Sequence, residues 1–107
     1  VSEKSEIKRD GARGMKNSGR GHYQKGDAML DIFTIDYKEY PKGFRVDENN
    51  WAKICADAMR NGHSEPALKL VLGEVSKTRL AVVAWHILED YIRLRQLEEE
   101  WLSQNTP

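Results

Sequence analysis

Apolar side chains are nearly absent from Val1–Lys25, where Ile7 and Met15 stand among charges and glycines, and they become periodic immediately afterwards. The first stretch therefore predicts an arm or loop, with room for a short helix near its start. From Ala28 to Tyr40 the residues are largely β-branched, aromatic or aliphatic, and Pro41 ends the run, which predicts two strands around a tight turn near Asp31. Alternation along the second strand puts Phe33, Ile35 and Tyr37 on one face and Thr34, Asp36 and Lys38 on the other. The period then changes. Asp47-Glu48-Asn49-Asn50 supplies capping and acidic residues for a helix start, and Trp51, Ile54, Cys55, Ala58 and Met59 recur at helical spacing until Asn61-Gly62. Beyond a loop holding Pro66, Ala67–Leu72 predicts a buried strand and Thr78–Ala84 its neighbour, joined by a turn over Gly73–Lys77. A last helix, starting between Trp85 and Leu88, carries Leu88, Tyr91, Ile92, Leu94, Leu97, Trp101 and Leu102 and frays over Ser103–Pro107. The predicted order is arm, β, β, α, β, β, α, which is an α/β fold.

With 107 residues and 12.3 kDa the chain holds a single domain, residues 1–107, with 1–24 as a basic flexible arm and 25–103 as the core. Seventeen basic and seventeen acidic side chains cancel, so net charge points to no partner. The distribution is more informative: Val1–Lys25 carries seven bases against three acids, whereas His86–Pro107 carries two bases against five acids. No apolar run reaches the ~18–20 residues of a membrane span, and Val1-Ser2-Glu3-Lys4-Ser5 lacks an apolar stretch of the signal-peptide kind, so a cytoplasmic protein without membrane contact is expected. The single Cys55 forms no internal disulfide, which suits a reducing compartment, and its place on the helical stripe reads as a small buried hydrophobe. His63 and His86 lack partners at zinc-ligand spacing.

The candidate chemistry lies in Lys25-Gly26-Asp27 and, nine positions after the aspartate, in Asp36-Tyr37-Lys38. Asp36 and Lys38 project side by side from one strand, and a hairpin partner brings Asp27 close to Asp36. Two carboxylates form a hard-oxygen site suited to Mg2+, which retains waters and shares its coordination with a substrate phosphate. A neighbouring ammonium orients the nucleophile and stabilises charge on the phosphorus centre, a combination suited to phosphodiester hydrolysis. Asp-x-Lys on a strand also describes a solvated cross-strand ion pair. Three features weigh toward the site: Gly26 frees the backbone beside Asp27, the Asp-x-Lys strand is otherwise apolar, and a basic arm leads into it.

Gln24-Lys25-Gly26-Asp27, the eight-residue interval, Phe33-Thr34-Ile35-Asp36-Tyr37-Lys38, Trp51-Ala52-Lys53-Ile54 and Glu65-Pro66-Ala67-Leu68 together resemble the PD-(D/E)XK nuclease superfamily. The likeness is strongest to its small phage and archaeal members of the Holliday-junction-resolvase type, and it spans about residues 17–92. The resemblance implies a restriction-endonuclease-like fold, with a central mixed β-sheet flanked by α-helices, and a Mg2+-dependent DNA endonuclease in which Mn2+ substitutes. Carried over by position, it makes Asp27 and Asp36 metal ligands, the Tyr37 carbonyl a further ligand and Lys38 the catalytic lysine. It also implies a glutamate from a helix near the N-terminus, for which Glu6 is best placed and Glu3 second; the other reading of Glu6 is an exposed acid in a mobile arm. Two positions depart from the family pattern. Gly26 stands where proline is usual, and Asp36 where glutamate is more common, its shorter side chain drawing the metal nearer the strand. The setting implied is the cytoplasm of a bacterium or of a phage-infected host cell.

DNA contacts are expected from the arm, through Arg13, Lys16, Ser18, Arg20, His22 and Lys25, and from Lys42 and Arg45 just after the Asp-x-Lys strand. No recognition helix is evident, so branched or duplex DNA would be read through shape and phosphate positions. The stripe Tyr91, Leu94, Leu97, Trp101 and Leu102 exceeds what one small sheet covers, which predicts a homodimer. Three functions follow in order: an endonuclease resolving Holliday junctions or other branched DNA; a repair, restriction or nicking nuclease; and a non-catalytic DNA-binding module. The last would be marked by loss of a carboxylate or of the lysine, and none is missing.

Overall fold

A computed structural model describes residues 3–16 and 23–106 of the chain. Its elements are α1 (Glu3–Asp10), β1 (Arg13–Lys16), β2 (Tyr23–Leu30), β3 (Phe33–Glu39), α2 (Glu48–Arg60), β4 (Glu65–Leu72), β5 (Thr78–Val83) and α3 (Trp85–Asn105). The strands form one mixed sheet in the order β1-β2-β3-β4-β5. Neighbours run antiparallel except β3 and β4, which are parallel because α2 carries the chain back across the sheet between them.

Local chemistry explains the junctions. Asp31, at φ 53°, takes the left-handed position of the two-residue β2–β3 turn, a conformation that aspartate tolerates better than bulky residues. At the start of α2, the Asp47 side chain accepts from the Asn50 backbone N–H at 2.9 Å, while the Asn50 side chain accepts from the Asp47 N–H at 3.0 Å. The β4–β5 turn requires Gly73, because at φ 96° a Cβ there would stand 2.1 Å from the Ser76 carbonyl oxygen.

Strand alternation splits the core between the two faces. On the α1 side, Ala28, Ile35, Tyr37 and Ala67 are buried with Ile7, Ala12, Phe33 and Val83 against them. On the α2 side, Ile54, Leu68 and Leu70 are buried beneath Phe44, Trp51, Leu72 and Val82. β4 lies inside the sheet and, Lys69 apart, is apolar on both faces from Ala67 to Leu72, and so reads as a nearly continuous hydrophobic run. Among the described residues no helix is long and apolar enough to cross a membrane.

Three expectations need correction. The flexible arm of residues 1–24 instead holds α1, which docks on the sheet through Ile7 and the buried Glu6, and β1, which adds the first strand, while β2 itself begins at Tyr23. The polarity of this stretch concealed the docking, because the charge of Glu6 is balanced by Lys69 and Arg79, far away in sequence. In α2 the stripe turns slightly away from the expected one: Met59 is 63% exposed and Cys55 half-buried, while Asp57 is buried beside Ile54 and Ala58. Finally, α3 stays helical through Asn105 rather than fraying from Ser103, and none of its side chains is buried.

Candidate active site

The β2–β3 hairpin sets the site. With a two-residue turn, register counts back from Leu30↔Phe33 to Asp27↔Asp36, so the two aspartates are direct cross-strand partners on one face. That face is the α2 side, since Asp36 is aligned with Leu68 of the α2-side core. Lys38, two residues along β3, shares the face, and its Nζ lies 3.3 Å from Asp36 Oδ2. The ammonium also sits 5.9 Å from the centroid of Phe44, whose ring packs on Tyr40 at 5.1 Å.

Both aspartates are almost completely buried, and α2 brings a third buried carboxyl to Asp27. Asp57 lies within hydrogen-bonding reach of Asp27. It ion-pairs through Oδ1 with Arg60 one turn on, while its buried Oδ2 faces no donor among the described residues. Burial in the first place, then the Asp36 charge and the Asp57 carboxyl, push Asp27 up to about 8. At neutral pH the cluster therefore keeps a proton that an isolated aspartate would have lost.

The donor set suits a divalent cation bound to hard oxygens. Asp27 and Asp36 offer carboxylates side by side, and the Tyr37 carbonyl follows Asp36 in the strand, although the Tyr37 ring turns to the opposite face. Among the described residues no group of three or more His, Cys, Asp and Glu side chains forms a metal cage. Mg2+ needs none, because one or two carboxylates suffice when water and a substrate phosphate complete its shell. Asp57 Oδ2 is buried with no hydrogen-bond partner assigned among the described residues.

Glu6 is not brought to this pocket. It lies beneath the other face of the sheet, where Arg79 Nε donates to it at 2.9 Å and Lys69 Nζ is 3.0 Å away. The Arg79 hydrogen bond, working against burial and aided by Lys69, holds Glu6 down at about 2. Asp10 joins the same network: Lys69 Nζ donates to it at 2.7 Å and the Tyr37 hydroxyl at 3.0 Å. Glu3, the second choice, accepts at 3.3 Å from the Glu39 backbone N–H. α1 thus spends its acids on anchoring itself, and the glutamate expected from an N-terminal helix has no counterpart in the pocket.

The expected DNA contacts divide. Arg13 is exposed on β1, and its register with Met29, itself paired with Thr34, places it on the face of the aspartates. Lys16 lies at the end of β1 and Lys25 in β2, two residues before Asp27, whereas Ser18, Arg20 and His22 fall outside the described residues. Lys42 and Arg45 are exposed in the β3–α2 connection, alongside the Tyr40–Phe44 pair. Asp57 is the residue that the sequence reading missed. Its signal was spacing, because 51, 54 and 57 are three apart and a helix puts them along one side, yet a charged residue there reads as solvent-facing. No protein-family model matches the chain, and no curated protein or solved structure does.

Proposed function

We propose that this chain is a metal-dependent DNA endonuclease with a restriction-endonuclease-like core, acting on Holliday junctions or other branched DNA. One observation carries the reading: Asp27 and Asp36 are registered side by side, with Lys38 on the same face 3.3 Å from Asp36, where solvent-exposed charges would ordinarily stay apart from a buried core. The α/β sheet flanked by α1 and α2 is compatible with that fold. Asp27 and Asp36 would hold Mg2+ or Mn2+, and the bound ion would supply a water of lowered pKa and neutralise charge on the phosphodiester. Lys38, only partly buried, is placed to meet a phosphate oxygen and to stabilise the charge that develops on it. Arg13, Lys42 and Arg45 supply exposed cations for the flanking phosphates.

The test is cleavage of a four-way junction and of a linear duplex by the purified chain with Mg2+ or Mn2+. Junction cutting in preference to the duplex is expected. Asp36→Asn and Lys38→Ala should each lower the rate by about a hundredfold or more while DNA binding persists. Cutting by both variants at the parental rate would overturn the assignment, and equal cutting of duplex and junction would move it to a repair or nicking nuclease.

A further inference from the structure

The connection between β3 and α2 carries a feature that the chemistry of the aspartates leaves unused. Tyr40 and Phe44 stand in it with ring centroids 5.1 Å apart, Phe44 seated against the α2-side core and Tyr40 44% exposed. Their charged neighbours in the loop are cations: Lys42 and Arg45 are both exposed, and residues 40–46 include no acid. The loop is also held in shape. The Tyr40 N–H donates to the Val71 carbonyl at 3.0 Å, the Gly43 N–H to the Tyr40 carbonyl at 3.1 Å and the Gly73 N–H to the Pro41 carbonyl at 2.9 Å, while Asn50 Nδ2 donates to the Arg45 carbonyl at 2.8 Å. Gly43, at φ 135°, takes a conformation that L side chains rarely adopt.

An exposed ring flanked by cations and fixed in advance suits a nucleotide. Every nucleobase has a π-face that stacks on tyrosine, and the phosphates on either side of it supply anions for lysine and arginine. Prior ordering of the loop lowers the cost of binding. Paired bases are already stacked within their duplex, so the ring gains most from a base that is unpaired. The location agrees. Lys38 Nζ lies 5.9 Å from the Phe44 centroid and 3.3 Å from Asp36 Oδ2, and Tyr40 follows Lys38 by two residues, about 7 Å of extended chain. We propose that Tyr40, braced by Phe44, is a stacking platform for an unpaired nucleobase of the DNA, one nucleotide's reach from the phosphate that Lys38 meets. DNA as the ligand rests on the nuclease reading, whereas the stacking itself needs no metal.

Fluorescence titration in EDTA tests it, with circular dichroism to show that each variant is folded. The probe is a four-way DNA junction carrying one unpaired 2-aminopurine at its centre, and the reference is the same junction with that nucleotide deleted. The native chain should quench the 2-aminopurine and should bind the probe at least about tenfold more tightly than the reference. Tyr40→Ala should lose the quenching and bind both junctions alike, and Tyr40→Trp should keep the quenching and the difference. Arg45→Ala, which removes a phosphate contact, should weaken both junctions by a similar factor. A native chain that leaves the fluorescence unchanged, or a folded Tyr40→Ala variant that still separates the two junctions, overturns the platform even if the chain cuts junctions with Mg2+. Quenching that depends on Tyr40, in a chain that cuts no DNA with Mg2+ or Mn2+, keeps the platform and removes the nuclease reading.

Discussion

The two faces of the sheet bury carboxylates in opposite ways. Under α1, Glu6 and Asp10 each meet cations and donors, and their acidity rises accordingly. Under α2, among the described residues, Asp27, Asp36 and Asp57 meet one lysine and one outward-reaching arginine, and Asp27 responds by holding its proton to about 8. Among the described residues, the α1 side pairs Glu6 and Asp10 with cations, whereas the α2 side sets Asp27 against other acids. Satisfied networks hold elements in place, whereas a buried acidic cluster must be offset, here by the proton that Asp27 retains.

The largest break in that contrast comes from removing a cation on the satisfied face. Lys69→Ala leaves Glu6 with Arg79 alone and Asp10 without its ammonium, and should cost about 3 kcal/mol in urea unfolding, loosening α1 first. Asp27→Asn on the other face should change stability by less than about 1 kcal/mol or raise it, because it relieves repulsion rather than creating it. Equal losses from the two substitutions would show that the faces do not differ.

The pH dependence of stability sharpens the comparison, since the two groups act with opposite signs. Glu6 has a folded value of about 2, below its ordinary 4.5, so its contribution is present above 4.5 and is lost as pH falls toward 2. Asp27 has a folded value of about 8, above its ordinary 3.8, so its contribution is complete below 3.8 and declines as pH rises toward 8. Urea midpoints measured across pH should therefore fall on both sides of a mildly acidic maximum. Glu6→Gln should flatten the acid side and Asp27→Asn the alkaline side.

The smallest effect isolates Asp57. Replacing it with Asn removes a carboxyl that lies against Asp27, and should lower the Asp27 pKa by less than burial raises it. Carboxyl-carbon NMR titration would read this directly. An unmoved Asp27 would remove Asp57 from the cluster.

Much of this architecture was legible in the residues. Alternation over Phe33–Lys38 located β3 and the face of Asp36 and Lys38, and the short β2–β3 turn made Asp27 the cross-strand neighbour of Asp36. Asp47 and Asn50 marked the start of α2 as a capping box. The polar first segment was misleading, because the docking of α1 depends on Lys69 and Arg79, and no local pattern encodes a pairing across that span. Asp57 was obscured for a related reason: whether a helical acid points to water or to other acids depends on how the helix is rotated over the sheet.

The sequence by itself determined β3 to β5, the start of α2 and the adjacency of Asp27, Asp36 and Lys38, because those follow from period, turn length and capping, all interactions between near neighbours. Only the tertiary structure decided which carboxylates find cations. That outcome depends on which side chains are brought together beneath each face, and it separates Glu6, held by Lys69 and Arg79 on one side, from Asp27, crowded by acids on the other.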